Sequence, residues 1–217
     1  MRIGIIGAGT MARALGEGWT VAGHEVMIGA RPQWLADGLA GAIGRRAKSG
    51  TVAQAASFSD VVLLATPVSM IAEIVCDLDD VLADRILIDS TKADPSEVAV
   101  GGSILVEDID AERLAALLPR TRVVKAFNLC DAAVWESRAR LFGGRRLAVP
   151  ICGDDPAAVR RVATLAEDLL LQPITIGGLR WARRLEAVAE LCAELWSAGE
   201  DVRAMLPPVE ASGLAPG

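Results

Sequence analysis

Residues 1–12, MRIGIIGAGTMA, decide the fold of this 217-residue chain. Residues 2–6 form a short apolar run typical of a β-strand, and residues 7–12 fit the pattern G-x-G-x-x-A. A helix-compatible segment then runs over residues 10–22. The order strand, glycine turn, helix is what a dinucleotide-binding fold requires. We therefore predict a dinucleotide site here, over the alternative of an ordinary strand-to-helix turn.

Each small residue of this turn has a physical role. Gly7 allows the tight turn, Gly9 lets the backbone approach a pyrophosphate, and Ala12 lets the helix pack closely on the strand. Free N–H groups at the start of the helix would then face the phosphates. The predicted phosphate-binding turn comprises Gly7, Ala8, Gly9, Thr10 and Met11.

The end of the second predicted strand, residues 24–29, indicates which dinucleotide binds. NAD enzymes place an Asp or Glu there to hold the ribose hydroxyls, whereas this chain has Ala30 and Arg31. A guanidinium pairs with a 2′-phosphate through charge-assisted hydrogen bonds. We predict NADP(H) over NAD(H), with Ala30 and Arg31 at the 2′ site. The alternative is that Arg31 is a solvated charge ahead of a helix started by Pro32.

The remaining pattern alternates strands with helices, which indicates a parallel sheet with right-handed crossovers. The further strands are predicted near 46–48 and at 61–65, 85–89, 122–126, 146–151 and 173–176. The further helices are predicted at 32–42, 52–56, 69–76, 111–118, 156–170 and 179–198. The predicted fold class is α/β, a Rossmann-type doubly wound, mostly parallel sheet. An exposed part of the apolar stripe on the last helix would suit a dimer interface.

Composition argues against several classes of protein. The net charge of −6 is unfavourable for nucleic-acid binding. The most apolar run, residues 61–75, contains Pro67 and Glu73 and is shorter than the roughly 20 residues of a membrane-spanning helix. No signal peptide is apparent, and the four cysteines are far apart, so we expect reduced thiols in the cytoplasm and no metal site. The basic cluster at residues 45–48 is either a solvated loop or a second contact to the adenosine phosphate.

Ligands of an open parallel sheet bind beyond the carboxyl ends of its strands. The only histidine, His24, precedes the second strand and so lies at the wrong end. No tyrosine occurs, which excludes the short-chain reductase mechanism. Lys92 and Lys125 at strand ends are either proton donors or anion anchors, or else solvated charges. Hydride transfer between two bound cofactors suits such a site, since the cofactors carry the redox chemistry. The other predicted cofactor-binding residues are Ala65, Thr66, Pro67, Lys92, Ala126 and Asn128.

Several segments resemble a known family. GIIGAGTMARALGEGWTVAGHEVMIGARP, VVLLATP, VVKAFN and CGDDPAAVRRVATLAEDL, followed by IGGL and RRLE, are similar to NADPH-dependent coenzyme F420 (8-hydroxy-5-deazaflavin) reductases. The resemblance runs from residue 2 to about residue 195 and implies a homodimer. It further implies an NADP-binding Rossmann domain (1–128) and an α/β extension that roofs the acceptor cleft (129–205), whereas the Pro- and Gly-rich composition of residues 206–217 predicts a flexible tail. The nicotinamide would lie near Ala65, Thr66 and Pro67. The acceptor would be a deazaflavin or a flavin, and in the deazaflavin the hydride would pass between C4 of the nicotinamide and C5 of the acceptor.

The sequence departs from the family pattern at two places. Ser90-Thr91-Lys92-Ala93 stands where family members tend to have Asn-Pro, and Ala30 stands where Ser or Thr is common. The candidate catalytic residues are Lys92 and Asn128. Two alternatives stay open: a reductase of a small imine or ketone, with Lys92, Lys125 or Asn128 polarising the acceptor, and a non-catalytic NADP(H)-binding sensor.

Overall fold

The computed structural model describes residues 1–91, 110–137, 140–201 and residue 205. Lys92, Ala93 and the predicted tail at 206–217 lie outside these residues, so the predictions made for them stay predictions. Within the described ranges no helix has the length and apolar character needed to cross a lipid bilayer.

Ten strands and nine α-helices make up the described part of the chain. The strands are β1 (Arg2–Ile6), β2 (Glu25–Gly29), β3 (Ala47–Gly50), β4 (Val61–Leu64), β5 (Ile86–Asp89), β6 (Arg122–Lys125), β7 (Leu141–Phe142), β8 (Arg145–Arg146), β9 (Ala148–Gly153) and β10 (Gln172–Gly177). The helices are α1 (Thr10–Val21), α2 (Gln33–Ile43), α3 (Val52–Phe58), α4 (Val68–Cys76), α5 (Asp79–Leu82), α6 (Ala111–Leu117), α7 (Ala132–Glu136), α8 (Pro156–Glu167) and α9 (Ala182–Ser197), with a 3₁₀ turn at Leu179–Trp181.

Eight strands form one sheet in the order β10-β9-β6-β5-β4-β1-β2-β3. Every pairing is parallel except the antiparallel contact of β6 with β9. The predicted fold class is confirmed, because the strand order from β3 to β6 is that of a doubly wound dinucleotide-binding sheet. The strands of the predicted extension, β9 and β10, continue this same sheet.

The core lies on both faces of the sheet, because each central strand is apolar on both sides. In β1, Ile5 packs into the cluster that contains Trp19 of α1, and its neighbour Ile6 packs into the opposite cluster with Val75 of α4. Successive side chains of a strand point to opposite faces, so a continuous apolar run fits a sheet covered on both sides.

The chain between β6 and β9 differs from the sequence-based prediction. The predicted strand at 146–151 instead covers Ala148–Gly153, because Arg145–Arg146 pair with Leu141–Phe142 in a separate hairpin. Gly143 and Gly144 turn this hairpin with φ of 58° and 77°, values that glycine adopts at little cost. The short helices α5 and α7 were not predicted, and the predicted helix at 179–198 begins as a 3₁₀ turn.

Candidate functional site

A cavity of about 260 Å³ lies beyond the carboxyl ends of β1, β4, β5 and β6. It occupies the point where the strand order reverses, since β1 pairs with β2 on one side and with β4 on the other. Of the predicted site residues, Gly9, Thr10, Met11, Ala65, Thr66, Pro67 and Asn128 line it, together with Ser90 and Thr91. Ala126 is fully buried and does not line the cavity.

Two glycines of the first turn differ in what surrounds them. Gly7 has a φ of 121°, and a Cβ atom placed on it would lie 2.0 Å from the carbonyl oxygen of Ala65. A Cβ atom on Gly9 would meet nothing within 4 Å. Gly7 is therefore required by the fold itself, whereas the space above Gly9 is open to a ligand.

The N-terminus of α1 is chemically suited to an anion. Gly9 is its N-cap, no side chain caps it, and its first turn has no acidic residue. The first backbone bond within the helix runs from the N–H of Arg13 to the carbonyl of Gly9, 3.0 Å away. The N–H groups of Thr10 and Met11 therefore have no acceptor within the helix, and the helix dipole adds positive potential.

Asn128 presents an unpartnered amide to the same cavity. It is 1% exposed, and neither its Oδ1 nor its Nδ2 has a hydrogen-bond partner among the atoms that the structure describes. Buried polar groups are nearly always hydrogen-bonded, so an orphaned amide calls for an explanation. An amide or hydroxyl of a bound ligand would satisfy both atoms.

The residue before it, Phe127, holds Asn128 in place. Phe127 has a φ of 65°, a left-handed conformation that is unfavourable for a bulky side chain. Its ring packs edge-on between Trp19 and Trp135, with centroid distances of 6.1 and 5.8 Å. This aromatic packing stabilises the turn that directs Asn128 into the cavity, and such strain is common at functional sites.

Arg31 lies at the end of β2 but is paired with two carboxylates. Its Nη1 donates to Glu73 Oε1 at 2.9 Å, and its Nη2 donates to Asp77 Oδ2 at 3.1 Å. A second cavity of about 320 Å³, lined by Ala30, Arg31, Thr51 and Asp77 among others, opens beside it. The side chain of Arg31 is 45% exposed, so the alternative of a solvated charge also stays open. Its predicted contact with a 2′-phosphate stays a prediction.

Lys125 is fully buried, so its interpretation as a solvated charge is wrong. Its Nζ lies 2.9 Å from Asp89 Oδ2, 2.6 Å from Glu186 Oε1 and 2.8 Å from the carbonyl oxygen of Thr91. Burial alone would lower the pKa of Lys125, but Asp89 and Glu186 outweigh it and hold the pKa above its usual value. The cluster joins α9 to the ends of β5 and β6, beneath Thr91 at the cavity wall.

His24 and Arg46 of the basic cluster lie near the amino end of β2, away from the carboxyl ends that line the cavity. His24 Nε2 lies 3.0 Å from Asp168 Oδ2, and burial together with the charged N-terminus lowers the pKa of the imidazole. Arg46 Nη1 donates to the carbonyl of Gly23 at 2.7 Å, just before β2. Arg46 therefore lies far from the strand ends that line the cavity, which argues against a second contact to the adenosine phosphate.

Comparisons with known proteins agree with this geometry. The family model described as "NADP oxidoreductase coenzyme F420-dependent" matches residues 2–93. The F420-dependent NADP reductase of Methanothermobacter thermautotrophicus is 31% identical over 211 residues, which cover 90% of this chain and 89% of that protein. The chain belongs to this family. The predicted resemblance is thereby confirmed, and the protein is an NADP-dependent oxidoreductase.

Two further matches define how far the family likeness extends. A structure from Arthrobacter sp. FB24, described as a "putative F420 dependent NADP-reductase", superposes with a TM-score of 0.77 at 26% identity, and the match covers 91% of this chain and 95% of that one. Rat metalloreductase STEAP3 is 32% identical over 187 residues, 86% of this chain. This chain spans only 36% of the length of STEAP3.

Sequence reasoning found the strand ends of the cavity but missed the partners of Arg31 and the burial of Lys125. Among the described residues, no group of three or more His, Cys, Asp or Glu side chains is placed to hold a metal ion.

Proposed function

We propose that this F420-dependent NADP reductase homologue transfers a hydride between NADPH and a deazaflavin or flavin acceptor, with coenzyme F420 as the first choice. The observation that carries the proposal is that one cavity combines the open N-terminus of α1 with the unpartnered amide of Asn128. A dinucleotide has groups that fit both: a pyrophosphate for the helix and an amide or sugar hydroxyl for Asn128.

The residues present fit NADP along the strand ends. Gly9, Thr10 and Met11 would hold the pyrophosphate, because backbone N–H groups are free there and no Cβ atom occupies the space above Gly9. Arg31 would contact the 2′-phosphate from the second cavity. Ala65, Thr66 and Pro67 would lie beside the nicotinamide, and Asn128 lines the same cavity.

The nicotinamide and the acceptor supply the redox chemistry when bound, and the chain orients them. No histidine, tyrosine or lysine of the described ranges lines the cavity. The acid that lines the cavity is Asp131, which accepts from the N–H of Ala133 at the start of α7. We favour transfer between two cofactors, because reduction of an imine or ketone needs a proton delivered to the acceptor atom itself, whereas a deazaflavin or flavin takes up its proton at a ring nitrogen. Lys125, the described lysine nearest to the strand ends, donates instead to Asp89, Glu186 and Thr91.

We further infer a homodimer built through α9 and the β7–β8 hairpin. Val188, Leu191 and Trp196 on α9 are 41–47% exposed, and Leu141 and Phe142 of the hairpin are 62% and 51% exposed. Large exposed apolar side chains are typical of an interface. Sedimentation equilibrium would test this, and a monomer mass at all concentrations would contradict it. We also expect a cytoplasmic location, since no disulfide joins the four cysteines.

The function is tested by mixing the purified protein with NADPH and, separately, with oxidised coenzyme F420, FMN and FAD, while following the nicotinamide and acceptor absorbance bands. We expect NADPH oxidation with the deazaflavin to be faster than with either flavin. Saturable NADPH binding without oxidation by any of the three would contradict the proposed acceptor class. Small cyclic imines and ketones, assayed in parallel, separate a reductase of that type from a sensor.

A further inference from the structure

The 2′ site carries both signs of charge. Arg31 extends from the end of β2, as expected for an NADP enzyme, but Glu73 and Asp77 approach it from α4 and the residue that follows that helix. Each carboxylate accepts from a different guanidinium nitrogen, at 2.9 and 3.1 Å. A phosphate that binds Arg31 must therefore either share the guanidinium with these carboxylates or displace them.

The two acids are not equivalent. Asp77 lines the 320 Å³ cavity together with Ala30 and Arg31, whereas Glu73 is not among the lining residues. The side chains of Glu73 and Asp77 are 75% and 59% exposed, and that of Arg31 is 45% exposed. Exposed ion pairs of this kind are weak, so a ligand can displace either carboxylate from Arg31.

NADH and NADPH place groups of opposite preference at such a site. A ribose 2′-hydroxyl donates a hydrogen bond well to a carboxylate, which is why NAD enzymes place an acid there. A 2′-phosphate bears negative charge and is repelled by a carboxylate at that distance, while it is attracted by a guanidinium. The acid that the end of β2 lacks is thus supplied to the same cavity from α4.

We propose that Asp77 is a specificity-determining residue of the 2′ site. Its carboxylate favours NADH by accepting a hydrogen bond from the ribose 2′-hydroxyl, and it weakens NADPH binding by competing with the 2′-phosphate for Arg31. Glu73 contributes only to the second effect, because it holds Arg31 without lining the cavity. The inference rests on the proposed dinucleotide site. It implies that wild-type protein binds both nucleotides, with a preference for NADPH that is smaller than Arg31 alone would give.

Equilibrium binding of NADPH and NADH, followed by nicotinamide fluorescence without any acceptor, tests the proposal. Asp77→Asn removes the charge but keeps a hydrogen-bond acceptor, and Asp77→Ala removes both. We expect either variant to tighten NADPH about threefold to tenfold. We expect Asp77→Ala to weaken NADH about fivefold, the effect of one lost hydrogen bond, and Asp77→Asn to change NADH less than about twofold.

Two further variants and a change of salt concentration serve as controls. Glu73→Gln should tighten NADPH and leave NADH unchanged, while Glu190→Gln, an exposed acid on α9, should change neither. The gain in NADPH affinity should shrink at about 1 M salt, where the screening length is only about 3 Å. Equal changes for both nucleotides in Asp77→Ala, or equal gains in Glu190→Gln, would overturn the inference. Failure of the wild type to bind either nucleotide would instead overturn the proposed function.

Discussion

Gly7 and Ala65 are in such close contact that a Cβ atom on Gly7 would lie 2.0 Å from the carbonyl oxygen of Ala65. The turn after β1 is thereby pressed against the end of β4, and the two sides of the cavity are built on this contact. Gly9, two residues later, has open space above it. Packing within the fold therefore requires a glycine at position 7, whereas at position 9 only a bound ligand would require one.

Substitution of each glycine by alanine should therefore have different effects. Gly7→Ala should lower the free energy of unfolding by about 3 kcal/mol or more, from the clash and the positive φ together. Gly9→Ala should cost less than about 1 kcal/mol but weaken NADPH binding more than about tenfold, since its methyl group enters the proposed pyrophosphate site. Urea denaturation and fluorescence titration measure the two quantities. Normal NADPH affinity in Gly9→Ala would contradict the proposed position of the cofactor.

Much of the fold could be predicted because its signals are local. The apolar run of β4, the glycine turn and Arg31 at the end of β2 are each read within a few residues. The partners of Arg31 could not be predicted in this way, since Glu73 and Asp77 are 42 and 46 residues further along the chain. The antiparallel pairing of β9 with β6 was missed for the same reason, because strand direction depends on the intervening hairpin and not on the strand's own pattern.

The burial of Lys125 illustrates a second limit. A lysine that ends an apolar strand predicts a charge near solvent, because a lysine is fully buried only when other groups compensate its charge. Here the compensation comes from Asp89 on the neighbouring strand and from Glu186 on α9, 61 residues further along the chain. The sequence holds no local sign of that contact.

Asn128→Leu tests whether the orphaned amide serves a ligand. Both polar atoms of Asn128 lack partners in the described part of the protein, so an apolar side chain of similar size should leave stability unchanged or raise it slightly. NADPH affinity should fall about fivefold if one hydrogen bond is lost. A thermal melt and a binding titration on the same sample decide the matter. A loss of more than about 1 kcal/mol of stability would mean that the amide is already partnered in the free protein.

Lys125→Met tests the buried charge cluster. It leaves Asp89 and Glu186 without their cation, and breaking a buried ion pair costs about 3 to 5 kcal/mol. Lys48→Met is the matched control, because Lys48 pairs with Glu25 at an exposed site and should cost less than about 1 kcal/mol. Similar losses in the two variants would show that the buried cluster contributes no more than a surface pair.

The pH dependence of that loss has a definite sign. The folded-state pKa of Lys125 is raised above its usual value, so the stabilisation is fully present below about pH 10.5, the unfolded value. It is lost as pH rises through the folded-state pKa. The difference in unfolding free energy between wild type and Lys125→Met should therefore not fall as pH rises through neutrality, and it should shrink in strong alkali. A difference that shrinks already between about pH 7 and 9 would be inconsistent with a raised pKa.

The four cysteines should differ in reactivity. Cys76 is exposed, whereas Cys152 is buried, and burial raises the pKa of the Cys152 thiol to about 11. Since the thiolate is the nucleophile, iodoacetamide at about pH 8 should modify Cys76 first and leave Cys152 unmodified. Peptide mass spectrometry at timed intervals measures this order, with guanidinium-unfolded protein as the control in which all four react. Early modification of Cys152 in the folded protein would be incompatible with its burial.

Arg31→Ala tests the contact with the 2′-phosphate directly. Loss of a charge-assisted, hydrogen-bonded contact should weaken NADPH binding by about 1.5 to 3 kcal/mol more than NADH binding. The reason is that NADH has no 2′-phosphate for Arg31 to contact, while Glu73 and Asp77 remain to repel the 2′-phosphate of NADPH. Arg46→Ala is the matched control, because its guanidinium binds the carbonyl of Gly23 near the amino end of β2. Equal losses for the two nucleotides in Arg31→Ala would show that the guanidinium does not recognise the phosphate, and the 2′ site would then have to be sought elsewhere along the strand ends.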